Sequence, residues 1–235
     1  MKVFYEPNIE QNECLTEVES GHAIRVLRLS NNDQIEVLDG KGGAFIAEII
    51  NPNPKKCLLK ILKKHIIPNK KPFYIHLAIA PTKNLDRIEW MIEKCVEIGI
   101  DEITFLKCER SERKELKVER IEKIAIAAMK QSGGLFLPKI NELLPLNTFL
   151  KLDSQNKPSQ KFIGYITESV EISLYNSAKI GQNYLFLVGP EGDFSEKELE
   201  QTNSFGFQKV NLGSKRLRTE TAGLVVCHTL NLINS

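Results

Sequence analysis

The sequence predicts an α/β protein with a small β-rich N-terminal domain and a larger C-terminal domain, built on a mainly parallel sheet flanked by helices. Three observations predict it. The first 70 residues read as short strands divided by turn residues. The segment "IPNKKP", residues 67 to 72, concentrates two prolines and two lysines, as linkers do. Beyond it, apolar strand-like runs alternate with stretches of helical spacing, the pattern of a parallel sheet covered by helices. At 235 residues the chain exceeds the usual single domain of about 100 to 150 residues. The expected domains are 1–70 and 71–235.

In the first domain, "KVFYE", "QIEVLDG", "AFIAEII" and "CLLKIL" are the strands, with "DGKGG" as a hairpin turn between the middle two. One short helix interrupts them. In "SGHAIRVLRL", Ser20 reads as a cap, Ile24, Leu27 and Leu29 are spaced for burial, and Arg25 and Arg28 stand three apart on a shared face. Such a strand set is barrel-like.

The second domain starts with "FYIHLAIAP", an apolar run of the buried-strand type. In "DRIEWMIEKCVEIG" the residues Ile88, Met91, Ile92, Cys95 and Val96 recur at helical spacing, Trp90 reads as core on that stripe, and Gly99 closes the helix. The strand "EITFLK" follows, then the helix "VERIEKIAIAAMKQSG", the strands "FIGYIT", "YLFLVG" and "QKVNLG", and a last helix from about 219 to 234. In such sheets ligands bind beyond the carboxyl ends of the strands. Three loops qualify there: "ITES", "GPEGDFS" and "LGSKRLRTETA".

With 42% apolar and 26% charged residues, the composition is that of a soluble globular protein, neither disordered nor membrane-like. A net charge of +2 points only weakly to a polyanion, but no acid occurs between Glu48 and Asp86, where Lys55, Lys56, Lys60, Lys63, Lys64, Lys70, Lys71 and Lys83 fall. That run suits phosphates or a solvated lysine face equally. Cysteines 14, 57, 95, 108 and 227 are odd in number and form no C-x-x-C, so neither a disulfide framework nor a metal site is expected. No leader-like segment and no membrane-length apolar run appears, so a cytoplasmic location is expected.

The loops differ in what they offer. In "VGPEGDFSEKE", Gly189 and Gly192 allow tight turns, and Ser195 with Glu198 spells a capping box. By itself this is an ordinary strand-to-helix turn. Neither G-x-G-x-x-G nor G-x-x-x-x-G-K-[ST] is present, so a dinucleotide fingerprint and a phosphate-gripping loop are both absent. In "LGSKRLRTETA" the bases Lys215, Arg216 and Arg218 repel one another unless an anion is present. Thr219 or Thr221 is available as helix cap, and Glu220 in the first turn suits the helix dipole. His22 and His228 read as packed or capping residues.

Taken in order, "HAIRVLRL", "DRIEWMIEKCVEIGI", "GPEGDFS" and "LGSKRLRTETA" make the chain resemble the bacterial ribosomal RNA small-subunit methyltransferase E family, which methylates N3 of a uridine in 16S rRNA. The resemblance runs over nearly the whole chain. It implies an N-terminal PUA-like β-barrel for RNA, a C-terminal SPOUT-type domain whose trefoil knot holds S-adenosylmethionine, and a homodimer acting on 16S rRNA in the small ribosomal subunit. It further implies cofactor contacts from Thr167, Leu187, Gly189, Glu191, Gly192, Leu212, Gly213, Leu217, Thr219, Thr221 and Ala222, with Arg218 and Glu220 as catalytic residues. Arg25 and Arg28, with Lys83, Arg87, Lys94, Arg110 and Arg113, are the candidates for RNA phosphates. For Arg87 and Lys94, pairing along the helix with Glu89 and Glu93 is the alternative. The sequence also departs from the family pattern: Lys130 and Gly134 stand where many members carry glutamate and arginine, and Asp193 replaces a frequent glycine.

Uracil N3 becomes nucleophilic as its proton leaves, and charge then builds on the flanking carbonyl oxygens. A guanidinium can stabilise that charge. Arg218 is the first candidate; its other readings are an RNA phosphate contact or an ion pair with Glu220 or Glu191. For the proton, Glu220, Glu191 and hydroxide all remain open. The rival functions are an RNA-binding module without chemistry and a phosphotransfer enzyme using "GPEG", the latter opposed by the missing Lys-Ser/Thr pair.

Overall fold

A computed structural model describes residues 1–67, 71–153, 160–165 and 172–235. It divides into two units, Met1–Lys70 with Ile126–Leu137, and Lys71–Ala125 with Pro138–Ser235.

In the first unit, strands β1 (Lys2–Tyr5), β2 (Gln34–Leu38), β3 (Gly43–Asn51) and β4 (Leu58–Ile66) form one sheet in that order. β1 runs parallel to β2 and the other pairs are antiparallel. Alternation sets the inner face: Ile35 and Val37 of β2 and Phe45, Ala47 and Ile49 of β3 are fully buried with Phe4 and Leu59. Asp39 fixes the turn between β2 and β3, its Oδ1 accepting from the amides of Lys41 at 2.7 Å and Gly43 at 2.8 Å.

Between β1 and β2 lie α1 (Ile9–Asn12), α2 (Glu17–Gly21) and a π-helical turn, His22–Val26. This corrects the single helix capped by Ser20. Thr16 is the cap, accepting from the Glu19 amide at 3.2 Å, whereas Ser20 is fully buried and links Leu15 to Cys57 through its hydroxyl. Arg28 has left the helix for a left-handed φ of 55°, so it does not share a helical face with Arg25. Residues 126–137 complete this unit: the Gly42 amide donates to Leu135 at 2.9 Å, the Leu137 amide to Gly40 at 2.9 Å, and Lys130 pairs with Glu19 at 2.7 Å.

The second unit alternates strands and helices: β5 (Tyr74–Ile79), α3 (Leu85–Ile98), β6 (Glu102–Lys107), α4 (Val118–Ser132), β7 (Lys139–Pro145), α5 (Leu146–Asp153), β8 (Gln160–Gly164), α6 (Leu174–Ser177), β9 (Asn183–Val188), α7 (Glu196–Ser204), β10 (Gln208–Val210) and α8 (Thr219–Ile233). The division between units falls inside α4. The sheet order is β10-β8-β9-β5-β6-β7, and every pairing is parallel. Apolar runs make β5 and β9 central: Leu77, Ala78 and Ile79 and their partners Phe186 and Leu187 are inaccessible to solvent.

α3 starts at Asn84, whose side chain accepts from the Asp86 amide at 2.9 Å, and stops at Gly99, where φ is 112°. Its stripe of Ile88, Met91, Ile92, Cys95 and Val96 is buried as spaced. Trp90 is not part of it. At about 100° per residue Trp90 lies about 200° round the helix from Ile88, and 44% of it is exposed. α8 packs on α3 through Gly223, where a side-chain carbon would stand 2.5 Å from Met91 Sδ.

Candidate active site

Because β8, β9 and β10 run parallel, their carboxyl ends open on one edge of the sheet, and the loops that leave them meet. They enclose a cavity of about 800 Å³, within the range of small-molecule sites. Gly164 and Tyr165 line it from β8, Val188 to Glu191 and Asp193 from β9, and Leu212 with Arg216 to Glu220 from the segment entering α8; Ala222 and Arg87 complete the wall.

Each loop is held in place for a reason the residues supply. At Gly189 a side-chain carbon would sit 3.0 Å from the Phe194 ring, so any larger residue requires the buried ring to give by a few tenths of an ångström. Thr219 Oγ1 donates to the Gly189 carbonyl at 3.1 Å, tying the start of α8 to the loop after β9. Thr219 therefore does not cap α8, and neither does Thr221: the cap position is Arg218, with no side-chain cap bond. Asp193 adopts a left-handed φ of 63°, and its Oδ1 accepts from the Phe194 amide at 2.8 Å. Aspartate tolerates that conformation, which accounts for its standing where glycine is frequent.

The capping box at α7 is present in full: Glu198 accepts from the Ser195 amide at 2.8 Å, and its other oxygen accepts from the Glu109 amide at 2.8 Å. The two candidate phosphate contacts on the segment after β6 are used within the protein. Arg110 donates to the Gly192 carbonyl at 3.1 Å, and Arg113 to the Thr82 carbonyl at 3.0 Å and to Lys83. Lys83 pairs through its ammonium with Glu112 at 3.1 Å, while its amide donates to Glu191 Oε1 at 3.0 Å.

Charges at the cavity are arranged unevenly. Glu220 has only 7% of its side chain exposed, and Oε1 lies 3.8 Å from Arg87 Nε. Its Oε2 is buried with no hydrogen-bond partner among the described residues. Arg218 is exposed and makes no ion pair among the described residues, so its pairing with Glu220 or Glu191 is not observed. Arg216 reaches the Glu191 carbonyl at 3.5 Å. Lys94 pairs along α3 with Glu93 at 2.6 Å and Glu97 at 2.9 Å, the lattice that Arg87 forgoes for Glu220.

Of the residues singled out from sequence, Gly189, Glu191, Leu212, Leu217, Arg218, Thr219, Glu220, Ala222 and Arg87 come together on this cavity. Leu187 points into the core, one position before Val188, and Gly192, Gly213 and Thr221 flank the wall. Thr167 lies outside the described residues. Sequence reasoning missed Gly164, Tyr165, Val188, Pro190 and Asp193 as wall residues; the signal was their position at strand exits.

The cysteines form no disulfide. All five are free thiols; that of Cys57 is pushed up to about 11, by burial first and by Cys14 second, and burial likewise raises Cys108. No cluster of three or more metal-binding side chains, and no helix long and apolar enough to cross a membrane, occurs among the described residues.

Residues 69–231 match the family model for an RNA methyltransferase domain, and residues 15–62 that for an RNA methyltransferase PUA domain. A crystal structure of a probable rRNA-methyltransferase from Porphyromonas gingivalis is 43% identical, with 99% of each chain covered and a TM-score of 0.86. The ribosomal RNA small subunit methyltransferase E from Neisseria gonorrhoeae, solved bound to S-adenosyl methionine, is 29% identical over 100% of this chain and 98% of that one, with a TM-score of 0.84. The ribosomal RNA small subunit methyltransferase E of Mesomycoplasma hyopneumoniae is 30% identical over 215 residues, 89% of both chains.

Proposed function

The chain belongs to the RNA methyltransferase family, together with the ribosomal RNA small subunit methyltransferase E proteins, and from that premise we propose that it transfers a methyl group from S-adenosylmethionine to N3 of a uridine in 16S rRNA. The observation that carries this reading is the cavity of about 800 Å³ at three parallel strand exits, with a buried carboxylate, Glu220, and the guanidinium of Arg218, unpaired among the described residues, both on its wall. When bound, the cofactor supplies an electrophilic methyl group. The residues present fit it: a backbone-rich wall from Gly189 to Glu191 and from Leu212 to Leu217 offers amides and carbonyls to an adenosine, and Thr219 keeps the two segments together.

Arg218 stands at the mouth of α8 with its side chain free to donate to a uracil carbonyl oxygen and stabilise the charge that develops there. Glu220 stands two residues on, on the same wall. The first unit is the RNA-binding part and the second the transferase. Exposed Arg25 and Arg28 bind phosphates, so alanine at both positions weakens RNA binding and flattens its salt dependence by about 0.7 for each phosphate no longer neutralised. An unaltered salt slope, measured by filter binding, removes them from that role.

A SPOUT-type trefoil knot belongs to the same reading, supported by the return of α8 against β5 and β9 after β10 has paired with β8. We also propose a homodimer, for which exposed Trp90, Tyr175 and Leu232 supply apolar surface, working in the cytoplasm on small ribosomal subunits. The direct test is mass mapping of rRNA nucleosides from cells lacking this protein. Loss of one N3-methyluridine, restored by the purified protein with S-adenosylmethionine, is the expected outcome; an unchanged set of marks rejects the function.

A further inference from the structure

Glu220 Oε2 is a buried side-chain oxygen of the second unit whose residue lines the cavity. It is shielded from solvent and lacks a hydrogen-bond partner among the described residues, although its carboxylate sits on the wall of the cavity. A buried acceptor left unmatched is costly, the more so when charged, and a donor in the cavity can relieve it only if the carboxylate turns. The torsion that carries the carboxylate oxygens is broad and roughly two-fold, so either oxygen can be presented to the cavity. On one side of this acceptor is the Arg87 guanidinium, 3.8 Å from Oε1. Two residues before it in the chain is Arg218, on the same wall.

We infer that Arg87, Glu220 and Arg218 form a donor–acceptor–donor set that recognises the imide edge of uracil, a ring N–H between two carbonyl oxygens, and that Glu220 removes the proton of that N–H. Arg87 thereby gains a role at the base instead of at a phosphate. The inference rests on the proposed uridine methylation and assigns its specificity and its base. The pattern matches uracil and excludes cytosine, whose N3 is an acceptor that would face the carboxylate and whose amino group would face a guanidinium. In the step itself, a Glu220 oxygen bonds the N3 proton as the N–H bond breaks. The freed nitrogen pair attacks the methyl carbon, and the electrons of the methyl–sulfur bond return to sulfur. The proton on Glu220 is then lost to solvent. Charged groups that share the cavity wall with Glu220 are Arg87 from α3, which pairs with it at 3.8 Å, Glu191 and Asp193 from the loop after β9, and Arg216 and Arg218 from the segment before α8.

The test uses the full chain, small ribosomal subunits from cells lacking it, and labelled S-adenosylmethionine, with single-turnover transfer followed against pH and cofactor affinity followed by calorimetry. For Glu220→Gln we expect transfer to slow by about 10²- to 10⁴-fold at neutral pH and to recover by about tenfold per pH unit as hydroxide replaces the lost base. Cofactor affinity should stay within about threefold. Glu220→Asp keeps a carboxylate and should retain partial activity with the pH profile of the parent protein. Arg87→Ala should raise methylation of subunits carrying cytidine at the target relative to uridine. The inference is overturned if Glu220→Gln transfers normally, if its residual rate ignores pH, or if it loses cofactor binding by more than about tenfold, which would assign the carboxylate to the cofactor. Should the parent protein bind cofactor yet methylate no subunit RNA, the proposed function itself falls, an outcome separable from all of these.

Discussion

The first turns of α7 and α8 each hold a buried glutamate, Glu198 and Glu220, and the two reach opposite ends. Glu198 follows Ser195 and Glu220 follows Arg218, each in a helical first turn and each buried, at 8% and 5% exposure. Glu198 is fully matched, one oxygen on the Ser195 amide and the other on the Glu109 amide. Glu220 has a distant arginine for one oxygen and nothing among the described residues for the other. The helix that closes on itself is architecture; the one left open keeps unfilled hydrogen-bonding capacity on a residue of the cavity wall. Burial alone does not separate them, whereas the donor count does.

Several variants press on that contrast, beginning with the largest effect. Arg218→Ala should cut single-turnover methylation by the equivalent of about 2.7 to 4 kcal/mol while cofactor affinity holds, as for loss of one preorganised donor. Unchanged transfer would erase the functional half of the comparison. On the architectural side, Glu198→Ala should lower stability by about 1.5 to 3 kcal/mol in thermal or urea melts, because it strips two amides of a charged acceptor. In the same melts Glu220→Gln should be neutral or stabilising, since it removes a buried charge that is poorly matched. If both glutamates prove equally important for stability, the contrast is lost. Ser195→Ala should cost less than Glu198→Ala, about 0.5 to 2 kcal/mol of stability, and leave methylation intact.

How much of this was legible in the sequence follows from which forces leave a linear trace. One-sided burial writes a period into α3, and its five buried residues are legible in it; Trp90 lies off that stripe by its angle, although its aromatic character suggests core. β7 left no apolar run because it is half exposed, and so it went unread. Ser20 and Arg28 were misplaced for a related reason: a hydroxyl before an apolar run looks like a cap, and a π-helical turn does not announce itself in composition. The site loops were visible through residues with strict local demands, the glycine against Phe194 and the Ser195–Glu198 box. The meeting of Arg87 with Glu220 was not visible, because it depends on strand order and on α8 lying against α3, neither of which periodicity encodes. The family resemblance pointed to the region but not to the orphaned oxygen.

The boundary inside α4 has a consequence for synthesis. The smaller unit draws its closing strap, 126–137, from beyond a long stretch of the other unit, so 137 of the 235 residues must be translated before it can finish. At about 5 to 20 residues per second, the roughly 67 residues beyond position 70 impose a wait of about 3 to 13 seconds. During that interval the nascent sheet presents an uncovered flank to the crowded space outside the exit tunnel, a vulnerability that a contiguous module avoids.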